Sequence, residues 1–119
     1  MEIELKQFVV VPKKPKMSKG KIASQVAHAT YMALKKQGFQ SKIHKQWIKN
    51  GMCVIVLECE TQVELMNIAK YCEQWNIHHH LYIDEGITEI PMGTATALAT
   101  GVMPSEAHWM FSQLELFKQ

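Results

Sequence analysis

Two hydrophobic periods alternate along this chain, one close to two residues and one close to 3.6. Residues 3–12 (IELKQFVVVP) close on an apolar run and read as a strand. Pro12 and Pro15 make 12–17 a loop, because neither ring tolerates regular structure there. Ser18 is placed to cap a helix running to about residue 36, with an apolar stripe of Ile22, Val26, Ala29, Thr30 and Ala33. Gly38 ends it, and a shorter helix over 41–49 stops at Gly51. Residues 52–59 (MCVIVLEC) are almost continuously apolar, as in a strand covered on both faces. Thr61 and Glu64 form a capping box that opens a helix to about residue 75, its core side carried by Leu65, Ile68, Ala69 and Cys72. Strands follow over 78–84 and 94–101, and a short helix after Pro104. The order βααβαββα predicts an α/β three-layer sandwich, a four-stranded mixed sheet with helices on both faces.

With 119 residues, 47% of them hydrophobic, the chain is expected to be one domain over 1–119 with a core that needs no disulfide or metal. No apolar run reaches the ~18 residues that cross a bilayer. The opening MEIELKQ lacks a signal layout, so a cytoplasmic protein without membrane attachment is expected. Cys53, Cys59 and Cys72 form no CxxC pair, and Cys53 and Cys59 lie about 20 Å apart on one strand. Reduced thiols packed in the core fit that pattern.

Charge changes the picture. Residues 1–50 carry eleven lysines against Glu2 and Glu4, whereas 51–119 carry Lys70 and Lys118 against nine acids. The net +2 therefore divides into a basic half and an acidic half, and every basic residue is lysine. The split suits a polyanion; incidental surface bias is the plainer reading.

Two segments carry candidate chemistry. The first is Met17-Ser-Lys-Gly-Lys21-Ile-Ala-Ser-Gln25-Val-Ala-His28-Ala29. Glycine and lysines at a loop-to-helix junction make an anion site from free backbone N–H groups and the helix dipole. The Gly-x4-Gly-Lys-Ser/Thr spacing of a phosphate-binding P-loop is absent. Lys21 and His28 lie about 20° apart around the helix, so they are expected with Gln25 and Met32 on a polar face opposite the apolar stripe. For His28 alone, a packing role outweighs that of a base. The second segment is Asp84-Glu-Gly86-Ile-Thr88-Glu-Ile90-Pro-Met-Gly93-Thr94-Ala-Thr96, an acid ending a strand, then a glycine- and threonine-rich loop. Such strand ends hold ligands in α/β folds, although an ordinary turn gives the same composition.

Together the segments resemble the archaeal and eukaryotic type of peptidyl-tRNA hydrolase. The first resembles Met-Gly-x-Gly-Lys-x-Ala-Ala-Gln-x-Ala-His-Ala, and the second Asp-Ala-Gly-Arg-Thr-Gln-Ile-Ala-Pro-Gly-Thr-x-Thr. Trp47-x3-Gly51 and Glu64-Leu65 fit the same family, and the similarity spans essentially the whole chain. The resemblance implies hydrolysis of the ester joining a peptide to the 3′ ribose of tRNA, with no metal or cofactor, by a homodimer. It places catalytic roles on Lys21, Asp84, Thr88 and Thr96. It implies tRNA contacts by Lys13, Lys14, Lys16 and Lys19, and site support from Gly20, Gln25, His28, Gly86, Gly93 and Thr94. Lys21 and Asp84 are then expected within roughly 10 Å of each other.

The sequence departs from the pattern at Glu85, Ile87 and Glu89, where the family has alanine, arginine and glutamine. A cation is lost and two carboxylates are gained beside a polyanion site. The same residues also suit a tRNA- or protein-binding homologue of reduced activity, or a hydrolase of another acyl ester. His78-His79-His80 offers two imidazoles to one strand face, but no third ligand stands at zinc-site spacing, and half-exposed strand histidines are the default expectation.

Overall fold

The computed structural model describes residues 3–85 and 90–119. Its elements are β1 (Leu5–Pro12), α1 (Lys19–Gln37), α2 (Lys42–Lys49), β2 (Val54–Cys59), α3 (Gln62–Gln74), β3 (His79–Ile83), β4 (Ala95–Pro104), α4 (Trp109–Ser112) and β5 (Glu115–Leu116). The helix starts are local events. Ser18 Oγ accepts from the Lys21 amide at 3.2 Å, Ser41 Oγ from His44 at 3.4 Å and Thr61 Oγ1 from Glu64 at 3.3 Å, each satisfying an amide that the helix itself leaves unpaired. Gly38 closes α1 at φ 107°, a backbone conformation costly for any residue with a Cβ, and its amide bonds the Leu34 carbonyl.

The sheet order is β3-β4-β1-β2-β5. β1 and β2 run parallel, while β4 is antiparallel to β1 and β3, and β5 is antiparallel to β2. The four expected strands are all present, and a fifth is added. β5 is two residues long, too short to leave a periodic signal in the sequence. With these directions, the C-terminal ends of β1, β2 and β3 share one edge with the start of β4.

β1 sits centrally and is covered on both faces. Phe8 and Val10 point to the side of α3 and α4, where they pack with Leu57, Leu65, Ile68, Cys72, Leu98 and Phe111. Val9 and Val11 point to the side of α1, where they meet Met17, Ala29, Ala33, Ile90, Ala97 and Ala99. On that second side four alanines lie between helix and sheet, so the α1 backbone rides close to the strands.

Two irregularities in β4 matter for position. Tyr82 pairs with Ala97 but Ile83 pairs with Ala95, so Thr96 is an extra residue opposite β3. A second shift, between Gln7 and Val9, falls opposite Thr100 and Gly101. A Cβ on Gly101 would come within 2.6 Å of the Gln37 side-chain amide. That amide is fixed by bonds to both backbone groups of Val102 and to His44 Nε2.

Candidate functional site

Lys21 belongs to the first turn of α1, and Asp84 follows directly on β3. Their side chains meet: Nζ lies 2.5 Å from Oδ1, with 6% and 5% of the two side chains exposed. The contact joins residues 63 positions apart and lies well inside the expected 10 Å. A buried ion pair of this kind is weak support for stability, because desolvation offsets most of the attraction. What it offers is a carboxylate and an ammonium held in fixed relation at the sheet edge.

The backbone around Asp84 is clasped. Its amide donates to the Thr94 carbonyl at 2.8 Å, and its carbonyl accepts from Gly93 at 2.9 Å. Gly93 adopts φ 86°, which suits glycine, and Thr94 Oγ1 donates to the Pro91 carbonyl at 2.7 Å. Gly93 and Thr94 therefore shape the turn behind Asp84.

One turn beyond Lys21, Gln25 is buried and accepts a hydrogen bond at Oε1 from Thr96 Oγ1. The extra residue in β4 makes this possible. Ala95 and Leu98 pack on the α3 side, whereas Ala97 and Ala99 pack on the α1 side. Strict alternation fails between 95 and 98, and Thr96 turns toward α1. A turn further along, His28 stacks on Tyr82, ring centroids 4.8 Å apart and planes 7° from parallel. Three contacts thus run along α1: Lys21 with Asp84, Gln25 with Thr96, and His28 with Tyr82.

This arrangement corrects one expectation about α1. Lys21 and Gln25 do not lie opposite the apolar stripe. They continue the buried row Lys21, Gln25, Ala29 and Ala33, four residues apart, and only His28 of the polar set is exposed. Hydrophobicity hid that row because its first two members are polar. Tyr82 and Gln62 were not singled out from the sequence. Tyr82 stands two residues before Asp84, a spacing that puts both on one strand face. Gln62 Oε1 accepts from the Ala95 amide at 3.0 Å and ties the start of α3 to the site edge; no sequence signal marks it.

The lysines of the basic loop differ from one another. Lys14, Lys16 and Lys19 are exposed. Lys13 pairs with Glu58 at 2.8 Å and Glu60 at 3.0 Å, and hydrogen bonds to these carboxylates hold its ammonium protonated well above the usual lysine range. Lys16, Met17, Ser18, Lys19 and Gln119 line an open groove of about 570 Å³ beside the helix start, and Gly20 on the first turn is exposed. Glu85 is exposed next to Asp84. Gly86, Ile87, Thr88 and Glu89 lie outside the described residues, so the positions of those site candidates and departures are not part of this geometry.

Among the described residues, no three His, Cys, Asp or Glu side chains are grouped to hold a metal ion. His78 is exposed; His79 and His80 are half-buried, and His79 Nδ1 bonds the Ile77 carbonyl at 2.8 Å. Among the described residues, no helix is long and apolar enough to cross a membrane.

Residues 5–117 match the family model described as peptidyl-tRNA hydrolase PTH2. A peptidyl-tRNA hydrolase of Thermococcus onnurineus (strain NA1) is 42% identical over 102 residues, covering 85% of this chain and 86% of that protein. One from Methanopyrus kandleri is 33% identical over 96 residues, 81% of this chain and 83% of its own length. A probable peptidyl-tRNA hydrolase 2 of Dictyostelium discoideum is 35% identical over 105 residues, 87% of this chain and 50% of the longer relative.

Proposed function

The chain belongs to the peptidyl-tRNA hydrolase PTH2 family, and from that premise we propose that it hydrolyses peptidyl-tRNA through Lys21, Asp84, Thr88 and Thr96. Water attacks the ester carbonyl that joins the peptide to the ribose of the terminal nucleotide. Asp84 orients that water and receives its proton. Negative charge develops on the carbonyl oxygen, and the Lys21 ammonium with the first-turn amides of α1 stabilises it. The ester C–O bond then breaks, the ribose oxygen takes up a proton, and the peptide leaves with a free carboxyl group. Thr88 bonds the ester and the ribose hydroxyls, and Thr96, fully buried with its hydroxyl donated to Gln25, fixes the floor of the site beneath them. Lys14, Lys16 and Lys19 meet tRNA phosphates as point charges, which fixes position without reading sequence. Lys13 contributes less to this contact, since Glu58 and Glu60 share its charge.

The observation that carries this reading is the buried Lys21–Asp84 contact at the edge where α1 begins. Such a pair is poor value for stability, so its presence is best explained by chemistry. The test is release of blocked amino acid from N-acetyl-aminoacyl-tRNA by the purified chain. Turnover that disappears in Asp84→Asn supports the reading; tRNA binding without turnover in the unaltered protein makes the chain a binding homologue instead.

We also propose that residues 1–119 act as one domain, as a homodimer and in the cytosol. The family resemblance leads to the dimer, and exposed apolar side chains such as Val63, Met92 and Trp109 supply surface for it. Sedimentation at micromolar concentration tests the dimer directly.

A further inference from the structure

We infer that the stacked rings of His28 and Tyr82 form a platform for the unpaired terminal base of the tRNA; this rests on the proposed hydrolysis and adds a binding element to it. One face of the His28 imidazole lies on Tyr82, and the residue is nevertheless exposed. Among the described residues no ring other than Tyr82 stacks on His28. Tyr82 is half-buried against Val9, Val11 and the alanines, which anchors the lower ring. A rigid aromatic surface with one open face binds any nucleobase, because every base has a π face.

Position favours a base of the ester-bearing nucleotide. His28 stands seven residues beyond Lys21, about 10 Å along the helix. Tyr82 stands two residues before Asp84, about 7 Å along the strand. A nucleotide whose phosphate meets the start of α1, beside Lys19, has its ribose at the Lys21–Asp84 pair and its base directed along α1 to His28. The peptide then leaves the site on another path. A packing role alone explains the contact with Tyr82, but it does not require an exposed aromatic residue at this distance from the reacting bond.

The test uses the full chain and a short RNA ending in CCA, with 2-aminopurine replacing the last adenine as a fluorescent probe. Stacking quenches the probe on binding. His28→Ala is expected to abolish the quench, to weaken binding and to raise KM for peptidyl-tRNA roughly tenfold, the scale of one base–aromatic stack, with kcat little changed. His28→Phe restores both readouts, and His28→Leu, similar in bulk but without a π face, does not. Folded His28→Ala protein that binds and quenches the probe like the unaltered chain overturns the inference. So does a KM effect that appears only with long peptides, which makes the surface a peptide contact. A His28-dependent quench in a chain that never hydrolyses peptidyl-tRNA removes the proposed function and leaves the platform standing.

Discussion

On the α3 side of the sheet, Phe8, Val10, Leu57, Leu65, Ile68 and Phe111 fill the space with large apolar side chains. Cys59 and Cys72 join them, and burial pushes both thiols up to about 12, which keeps them protonated and inert. On the α1 side, alanines and valines leave α1 close to the strands, and the row toward the helix start is Lys21 and Gln25. The first side maximises apolar area removed from water. The second gives up that area to hold polar groups at short, fixed distances. On the proposed mechanism, stability and chemistry are thus divided between two faces of one sheet.

The largest effect expected from breaking this division is on activity. Replacing the pair with apolar residues, Lys21→Met together with Asp84→Leu, is expected to lower hydrolysis by at least about a hundredfold. The same double change should leave stability level or raise it by about 1–4 kcal/mol, because two desolvated charges are removed together. Denaturant melts and turnover on one preparation check both halves, and a large loss of stability would mean the pair is structural.

Leu65→Ala probes the opposite face. Leu65 is fully buried, so truncation should cost about 2–5 kcal/mol in urea unfolding. Hydrolysis measured where the variant remains folded should stay near the unaltered rate. A matching fall in kcat would show that the two faces are not separable.

Ala33→Leu presses on the close approach of α1. Overpacking here should cost about 1–3 kcal/mol and lower turnover as well, since lifting α1 loosens the contacts of Lys21 and Gln25. Loss of stability with full activity would show that only the helix start needs to be fixed.

The smallest effect expected is that of pH at the far end of the α1 side. Burial holds the His44 imidazole below its usual range, and the charge of His78 adds to this. Its Nε2 lies 2.5 Å from Gln37 Oε1. His80 is lowered in the same direction, first by burial and then by Lys36 and His79. In both, the folded value lies below the unfolded value of about 6.5, so the unfolded chain binds the proton more readily. Their contribution is complete above about pH 6.5 and is lost as pH falls through the folded values. Thermal melts from pH 7.5 down to 5 should show this decline, and His44→Gln should flatten it; an unchanged slope would remove His44 from the account.

The sequence by itself determined what neighbours within a turn or two decide. Ser18, Ser41 and Thr61 start helices because their side chains reach amides three residues on, and Gly38 ends one because it accepts a positive φ. Strand β1 was legible in its apolar run, although the cover on both its faces appears only in the structure, and the motif residues were legible through family resemblance. Glu64 shows where that legibility stops: in place of the box's reciprocal bond, its carboxylate reaches the Glu60 amide at 2.8 Å, one residue before the cap. The tertiary structure alone decided that Lys21 and Gln25 are buried, that Thr96 faces α1, and that two residues near the C-terminus add a strand. Each depends on groups far apart in the chain: an ion pair across 63 positions, a β4 irregularity visible only against β3, and pairing of β5 with β2. Local periodicity cannot encode these, because whether a polar side chain faces water or a partner is set by what the completed sheet brings to it.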